Sequence, residues 1–198
     1  SEACVSTLHS CTYSAEHQVT TARDMARLDE AYMKSFPNAL EYHSMHEYTF
    51  NDITQHNRNR LLFKDPSIDG LKTGYVSAAG YHLSATGERD GMRLLAVVMG
   101  AKTPAVRERE ALKLLNYGFR NFALLQPFAK DQPVTAVQVW KGLQDSLNLF
   151  PAEQPSLLVT QKEKEAIRWE IEAPNEVTAP VTVGQAVGKM VFYIADQP

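Results

Sequence analysis

The stretch "DPSIDGLKTGYVSAAGYHLSA", residues 65–85, sets an ammonium, a hydroxyl and a bare backbone side by side in Lys72, Thr73 and Gly74. These are the parts of a carboxylate grip. Lys72 offers a positive charge that can bind an anion or depress a neighbouring pKa. Thr73 can donate a hydrogen bond to the same anion. Gly74 has no side chain, so a ligand backbone can lie close against the strand edge. An extended peptide can then add as a strand, held by main-chain hydrogen bonds. The N–H of the next residue, Tyr75, is placed to help stabilise an oxyanion. Taken alone, the triplet is equally an ordinary strand start on the surface.

The flanking pattern shows which elements must hold the triplet in place. Thr20 or Thr21 caps a helix with Asp24 in its first turn and Met25, Leu28 and Tyr32 on one face. Pro37 stops it. Tyr48-Thr49-Phe50 and the segment after Asn51-Asp52 read as short strands around a tight turn. One strand is expected over Lys72–Ala85, followed by the polar loop "TGERDG". The apolar run "MRLLAVVMG" then pairs with it as a strand buried on both faces. Thr103-Pro104 opens a long helix striped by Ala111, Leu114, Leu115, Phe119 and Phe122.

Beyond Pro127 the texture changes. Prolines punctuate short β-rich runs ("VTAVQVW", "SLLVT", "AIRWEIE", "VTAPVTV" and "GKMVFYIA"), the pattern of a small all-β module. Two domains are therefore expected, 1–124 and 125–198. Trp140 and Trp169 are most simply core residues of the second.

The 198 residues carry a net charge of −3, which gives no whole-chain field toward nucleic acid. No run approaches the roughly 20 apolar residues of a membrane span, and the N-terminus shows no signal-peptide pattern. Cys4 and Cys11 either bridge a small loop or are two free thiols. Histidines 9, 17, 43, 46, 56 and 82 have no metal-ligand spacing and read as surface or structural. No metal and no cofactor is expected.

Four further segments sharpen the reading of the triplet: "TTARDMARL", "EYTFNDITQHNRNRLLFKDPSIDGLKTG", "AAGYHLSATGERDGMRLLAVVMGA" and "REREALKLLNYGFRNF". With Lys-Thr-Gly, a known motif of penicillin-binding proteins and β-lactamases, they resemble the low-molecular-mass penicillin-binding proteins. More narrowly, they are similar to the serine-type D-alanyl-D-alanine carboxypeptidases that trim peptidoglycan stem peptides. Residues 20–124 carry the resemblance closely, and the tail from 125 is similar to that family's C-terminal β-rich domain.

The resemblance implies an α+β fold. Part of a transpeptidase-type domain, an antiparallel sheet with packed helices, precedes a small sandwich-like all-β domain. It assigns substrate binding to Lys72, Thr73, Gly74, Tyr75, Arg58 and Arg107. Arg58 and Arg60 are otherwise solvated loop charges, and Arg107 is otherwise a partner of Glu108, Glu110 or another neighbour on its helix. Implied ligands are a stem peptide ending in D-Ala-D-Ala and, for the intact enzyme, β-lactams. The implied location is the periplasm or the extracytoplasmic face of the bacterial inner membrane.

The family's mechanism uses a serine in S-x-x-K, which attacks the D-Ala-D-Ala carbonyl to form an acyl-enzyme. None of the serines here stands in that pattern, and Ser146-Leu147-Asn148, the one S-x-N, falls after the triplet and is read as chance. No catalytic residue is therefore assigned. The chain is expected to be the C-terminal part of such an enzyme, inactive alone. The alternative is a non-catalytic module that binds peptidoglycan peptides or a partner. Leu94, Leu95, Val97 and Val98 would then lack cover, so a homodimer, a swap or a companion N-terminal fragment is expected.

Overall fold

The computed structural model describes residues 3–4, 19–129 and 131–194. It divides into two compact units, 1–120 and 121–198.

In the first unit, β1 (Ala3–Cys4) pairs antiparallel with β2 (Val19–Thr20), so a stretch read as loop includes a short ladder. Cys11, and with it the choice between bridge and free thiols, lies outside the described residues, as do His9 and His17. Helix α1 (Ala22–Ser35) starts where expected: the Thr21 hydroxyl accepts from the Asp24 N–H at 3.1 Å, filling one of the unsatisfied first-turn donors. It ends before Pro37, and α2 (Ala39–His43) follows. Strands β3 (Glu47–Phe50) and β4 (Ile53–His56) form the expected hairpin. Asn51 and Asp52 turn it with φ of 47° and 58°, the left-handed pair that matches strand twist in a two-residue loop.

The sheet that carries the triplet has three antiparallel strands in the order β5 (Ile68–Val76), β6 (Gly80–Arg89), β7 (Met92–Ala101). Two expectations are corrected here. The single strand over Lys72–Ala85 is in fact two: the chain reverses at residues 77–79, with Ala79 N–H on the Val76 carbonyl and Gly80 at φ 83°. The polar loop "TGERDG" is mostly strand, and only Asp90-Gly91 turns. Thr86 is fully buried there because its hydroxyl donates to the Leu94 carbonyl at 2.9 Å, which removes the cost of burying it. Strand β7 is also less enclosed than expected. Met92, Ala96 and Ala101 are buried, whereas Leu94, Leu95, Val97 and Val98 are half-buried.

Helix α3 (Pro104–Asn121) buries Ala111, Leu115 and Phe119, as its stripe requires. It also buries Arg107 and Glu108; Leu114, expected in the stripe, is 51% exposed, and Phe122 belongs to the next strand. Helix α1 packs on β6 and β7. Helix α3 meets β7 where Gly118 faces Leu94: a Cβ on Gly118 would stand 2.4 Å from Leu94 Cδ1. The buried Glu108 carboxylate is paired with Lys64 at 2.9 Å, Arg89 on β6 is paired with Asp65 before β5, and Arg93 on β7 reaches across the sheet to Asp69 on β5.

In the second unit β8 (Phe122–Leu125) pairs with β11 (Leu157–Thr160). Strands β9 (Thr135–Trp140), β10 (Ser146–Leu149) and β13 (Glu176–Thr178) form one sheet, and β12 (Ile167–Glu172) pairs with β14 (Lys189–Ile194). Ser146-Leu147-Asn148 is thus a piece of ladder opposite Ala136–Gln138. Val137, Val159 and Ile167 are the buried centre. The two tryptophans are not. Trp140 is 52% and Trp169 44% exposed, because each ring is engaged at the surface, Trp140 under the Lys141 ammonium and Trp169 edge-on to Phe128.

Candidate active site

Sheet order decides what the triplet can do. Strand β5 pairs with β6 on one side only, so among the described residues Lys72-Thr73-Gly74 stands on a sheet edge. The register sets Lys72 opposite Ser84, Thr73 opposite Leu83 and Gly74 opposite His82. Side-chain alternation sends Lys72, Ser84 and Val97 to one face. There a cleft opens toward α1, lined by Met25, Asp29, Lys72, Ser84, Val97 and other residues.

Three cations converge on this edge. The Lys72 side chain is half-buried and its ammonium donates to the Thr73 carbonyl at 2.5 Å. Its pKa lies below the ordinary lysine value, first because burial disfavours the charged form and then because the Arg58 and Arg107 charges oppose it. Arg107 reaches from the first turn of α3 to the same strand. Buried, it donates to the carbonyls of Gly74 and His82 at 3.3 Å each and of Arg58 at 3.4 Å. Burial pulls its pKa down while Glu108 and Tyr81 push it up, and a guanidinium remains charged. The neighbours it could have paired with are taken: Glu108 by Lys64, Glu110 by Arg109. Arg58 itself is exposed. None of the ion pairs among the described residues includes Lys72, Arg58 or Arg107. Tyr75, 58% exposed, stacks on Tyr81 with ring centroids 4.4 Å apart.

A pair of asparagines fixes Arg58 beside the strand. Asn59 is buried; its amide donates to the Gly70 carbonyl at 2.9 Å and its side-chain oxygen accepts from Leu61 N–H at 3.3 Å, capping the short 3-10 turn Arg60–Phe63. Asn57 accepts from Asn59 N–H. Asn side chains bond to backbone two residues on, so the "NRN" spacing itself carries the signal for this cap. Asn59→Ala is expected to destabilise the first unit by about 2 kcal/mol, the sum of a lost cap and a buried carbonyl left bare. Denaturant unfolding measures it; a loss under about 0.5 kcal/mol would show that Asn59 is incidental.

Five further residues stand around the edge. Asp29 and Ser84 interact across the cleft, and Tyr32 bonds His43 at 2.9 Å. His82 is buried, with its Nδ1 accepting from Gly100 N–H where β6 and β7 shift register.

The family model for D-alanyl-D-alanine carboxypeptidase matches residues 8–103, and the model for the penicillin-binding protein 5 C-terminal domain matches residues 122–198. The chain belongs to the low-molecular-mass penicillin-binding proteins, the D-alanyl-D-alanine carboxypeptidase family. Within that family it is 38% identical over 183 residues to the D-alanyl-D-alanine carboxypeptidase DacC of Escherichia coli, covering 91% of this chain and 46% of that protein. Against DacF of Bacillus subtilis the identity is 31%, covering 89% and 47%. The chain thus spans about half the length of the curated relatives it matches. Among solved structures, penicillin binding protein 5 from Haemophilus influenzae aligns with a TM-score of 0.72 at 31% identity, over 93% of this chain and 55% of that one. Penicillin-binding protein D2 from Listeria monocytogenes, solved in a cefotaxime-bound form, aligns with a TM-score of 0.51 at 31% identity, over 55% and 45%. The α+β domain followed by an all-β domain is the architecture of this family.

Proposed function

We propose that this chain carries the Lys-Thr-Gly half of a serine D-alanyl-D-alanine carboxypeptidase site and grips the free carboxylate of a peptidoglycan stem peptide. One observation carries the reading: a half-buried lysine stands on an open strand edge with Arg58 and Arg107 beside it and no acid paired with any of the three among the described residues. A cation cluster in which no member has an ion-pair partner among the described residues costs free energy in the free protein, and a ligand carboxylate relieves that cost. Lys72 and Thr73 meet the carboxylate, Gly74 admits the peptide backbone, and the Tyr75 N–H faces the oxyanion. Arg58 adds charge from the loop. Arg107 adds it from behind the strand while holding the strand's carbonyls in place.

The acylated serine and its lysine come, on this reading, from a segment of S-x-x-K type. The half-buried residues Leu94, Leu95, Val97 and Val98 are where such a segment, or a second copy, would gain apolar cover. The setting is the periplasmic side of the cell wall, and β-lactams acylate the complete site as mimics of the D-Ala-D-Ala terminus. The test joins this chain to an N-terminal segment of the family that carries S-x-x-K and S-x-N and adds a fluorescent penicillin. Covalent labelling at the S-x-x-K serine, absent from either piece alone, supports the reading. A chain that binds N-acetyl-D-Ala-D-Ala yet never yields labelling when joined would be a binding module instead.

A further inference from the structure

Behind Lys72, on the face of the sheet it shares with α1 and α2, lies a set of polar groups that no carboxylate grip requires. His43, at the end of α2, sits over β5 one turn of strand before the triplet. A Cβ on Gly70 would stand 3.8 Å from His43 Cβ and 3.4 Å from Leu40 Cδ2, contact distances that place α2 directly over the strand. The His43 Nε2 lies 2.9 Å from the Tyr32 hydroxyl, with the two rings edge-on, and the ring also meets the Leu71 carbonyl. One imidazole therefore joins α1 to the residue preceding Lys72. Asp29, one turn before Tyr32 on α1, is 3% exposed, and its carboxyl meets Ser84, the register partner of Lys72. Its Oδ2 has no hydrogen-bond partner among the described residues.

We propose that His43 is a positioning residue for Lys72, clasping α1 to the Lys-Thr-Gly strand just before the ammonium. The proposal rests on the carboxylate-grip reading for its function, and on the clasp geometry for its existence.

The charged and titratable groups that bear on His43 act in opposed directions. Burial favours its neutral form most strongly; the Leu71 carbonyl then favours the proton, the Lys72 ammonium opposes it, and the Asp29 carboxylate favours it. The Tyr32 hydroxyl contacts the ring directly. Asp29 itself is held above the usual carboxylate range, by burial first, with Ser84 and His43 pulling it back. Arg58 and Arg107 reach Lys72 from the other elements. His82, on β6, is pushed toward its neutral form by burial and then by the Arg107 charge, and its Nδ1 accepts from Gly100 N–H.

The sign follows. A proton on His43 places a further positive charge near the grip and so favours a bound carboxylate. By linkage, a bound carboxylate raises the His43 midpoint by the same coupling. Carboxylate affinity then increases as pH falls through that midpoint, which lies below the ordinary histidine value.

The test titrates the His43 imidazole by NMR in the 198-residue chain. Asp29→Asn is expected to lower its midpoint and Lys72→Gln to raise it, each by about half a pH unit, with the His82 ring unmoved. N-acetyl-D-Ala-D-Ala should bind about threefold tighter below the midpoint than above it, a difference that His43→Gln removes. A His43 midpoint indifferent to both Asp29→Asn and Lys72→Gln overturns the proposal, and those two variants decide it even where His43→Gln fails to fold. Peptide binding whose pH profile is unchanged in a folded His43→Gln also overturns it, with the grip itself intact. Midpoints that move as expected in a chain that binds no peptide uphold the clasp and sink the grip.

Discussion

Lys72→Met is expected to cut penicillin labelling of the completed enzyme by at least about 100-fold while leaving the chain as stable as before, or more so. The two halves of that expectation have one origin. Lys72 is half-buried, among the described residues bonds a neighbouring carbonyl and no acid, and faces two arginine charges. Its pKa in the folded chain is therefore below that of the unfolded chain. A lysine lowered in this way subtracts stability, since the unfolded state binds its proton more tightly. The penalty is full below the lowered midpoint and is relieved as the pH rises past the ordinary lysine value. Methionine keeps most of the side-chain length, removes the charge and removes the penalty at neutral pH. It also removes the counter-charge for the substrate carboxylate, and binding energy aimed at that group is lost where the acyl transfer needs it. Thermal melts of the chain and labelling rates of the completed enzyme separate the two. A Lys72→Met chain with a clearly lower melting temperature would identify Lys72 as a structural cation, and the carboxylate grip would go with it.

The same contrast shows what a sequence can disclose about such a site. The triplet and the arginines were legible because their side chains advertise charge and their spacing matches a known family. The helix starts were legible for a local reason: Thr21 and Asp24 are enough to write a cap. What was hidden depended on register. Nothing in "VSAAGYHLSA" marks residues 77–79 as a reversal, and although Asp90-Gly91 is a hairpin signal, it does not show that β6 runs through the polar residues before it; those choices are made by which pairing buries Leu83, Ala85 and Thr86 together. Once β6 is set beside β5, Ser84 falls opposite Lys72 and His82 opposite Gly74. Asp29 and His43 then become neighbours of the site through α1 and α2, over separations that no local pattern spans. The tryptophans were misplaced for the complementary reason. Their size argues for a core, whereas the cores of this second unit are filled by Val137, Val159 and Ile167, and each ring finds a surface partner instead.

Arg107 carries the largest expected effect on stability. Arg107→Met should destabilise the first unit by about 3 kcal/mol, measured by urea unfolding, and weaken peptide binding as well. Its guanidinium draws together the carbonyls of Gly74, His82 and Arg58, which belong to β5, β6 and the loop before the 3-10 turn. Each is a backbone acceptor that a hydrophobic replacement would leave without this donor, and the Glu108 carboxylate beside it would lose a stabilising charge. Lysine cannot substitute: a single ammonium does not span three acceptors, so Arg107→Lys should recover well under half of the loss. The Gly74 carbonyl ties this structural role to function. It sits in the triplet itself, so releasing it loosens the edge on which a peptide would lie. Stability and binding should therefore fall together in Arg107→Met and part company in Lys72→Met. If Arg107→Met instead left unfolding unchanged and abolished binding alone, the arginine would be acting on the ligand directly, and the carbonyl contacts would be incidental to it.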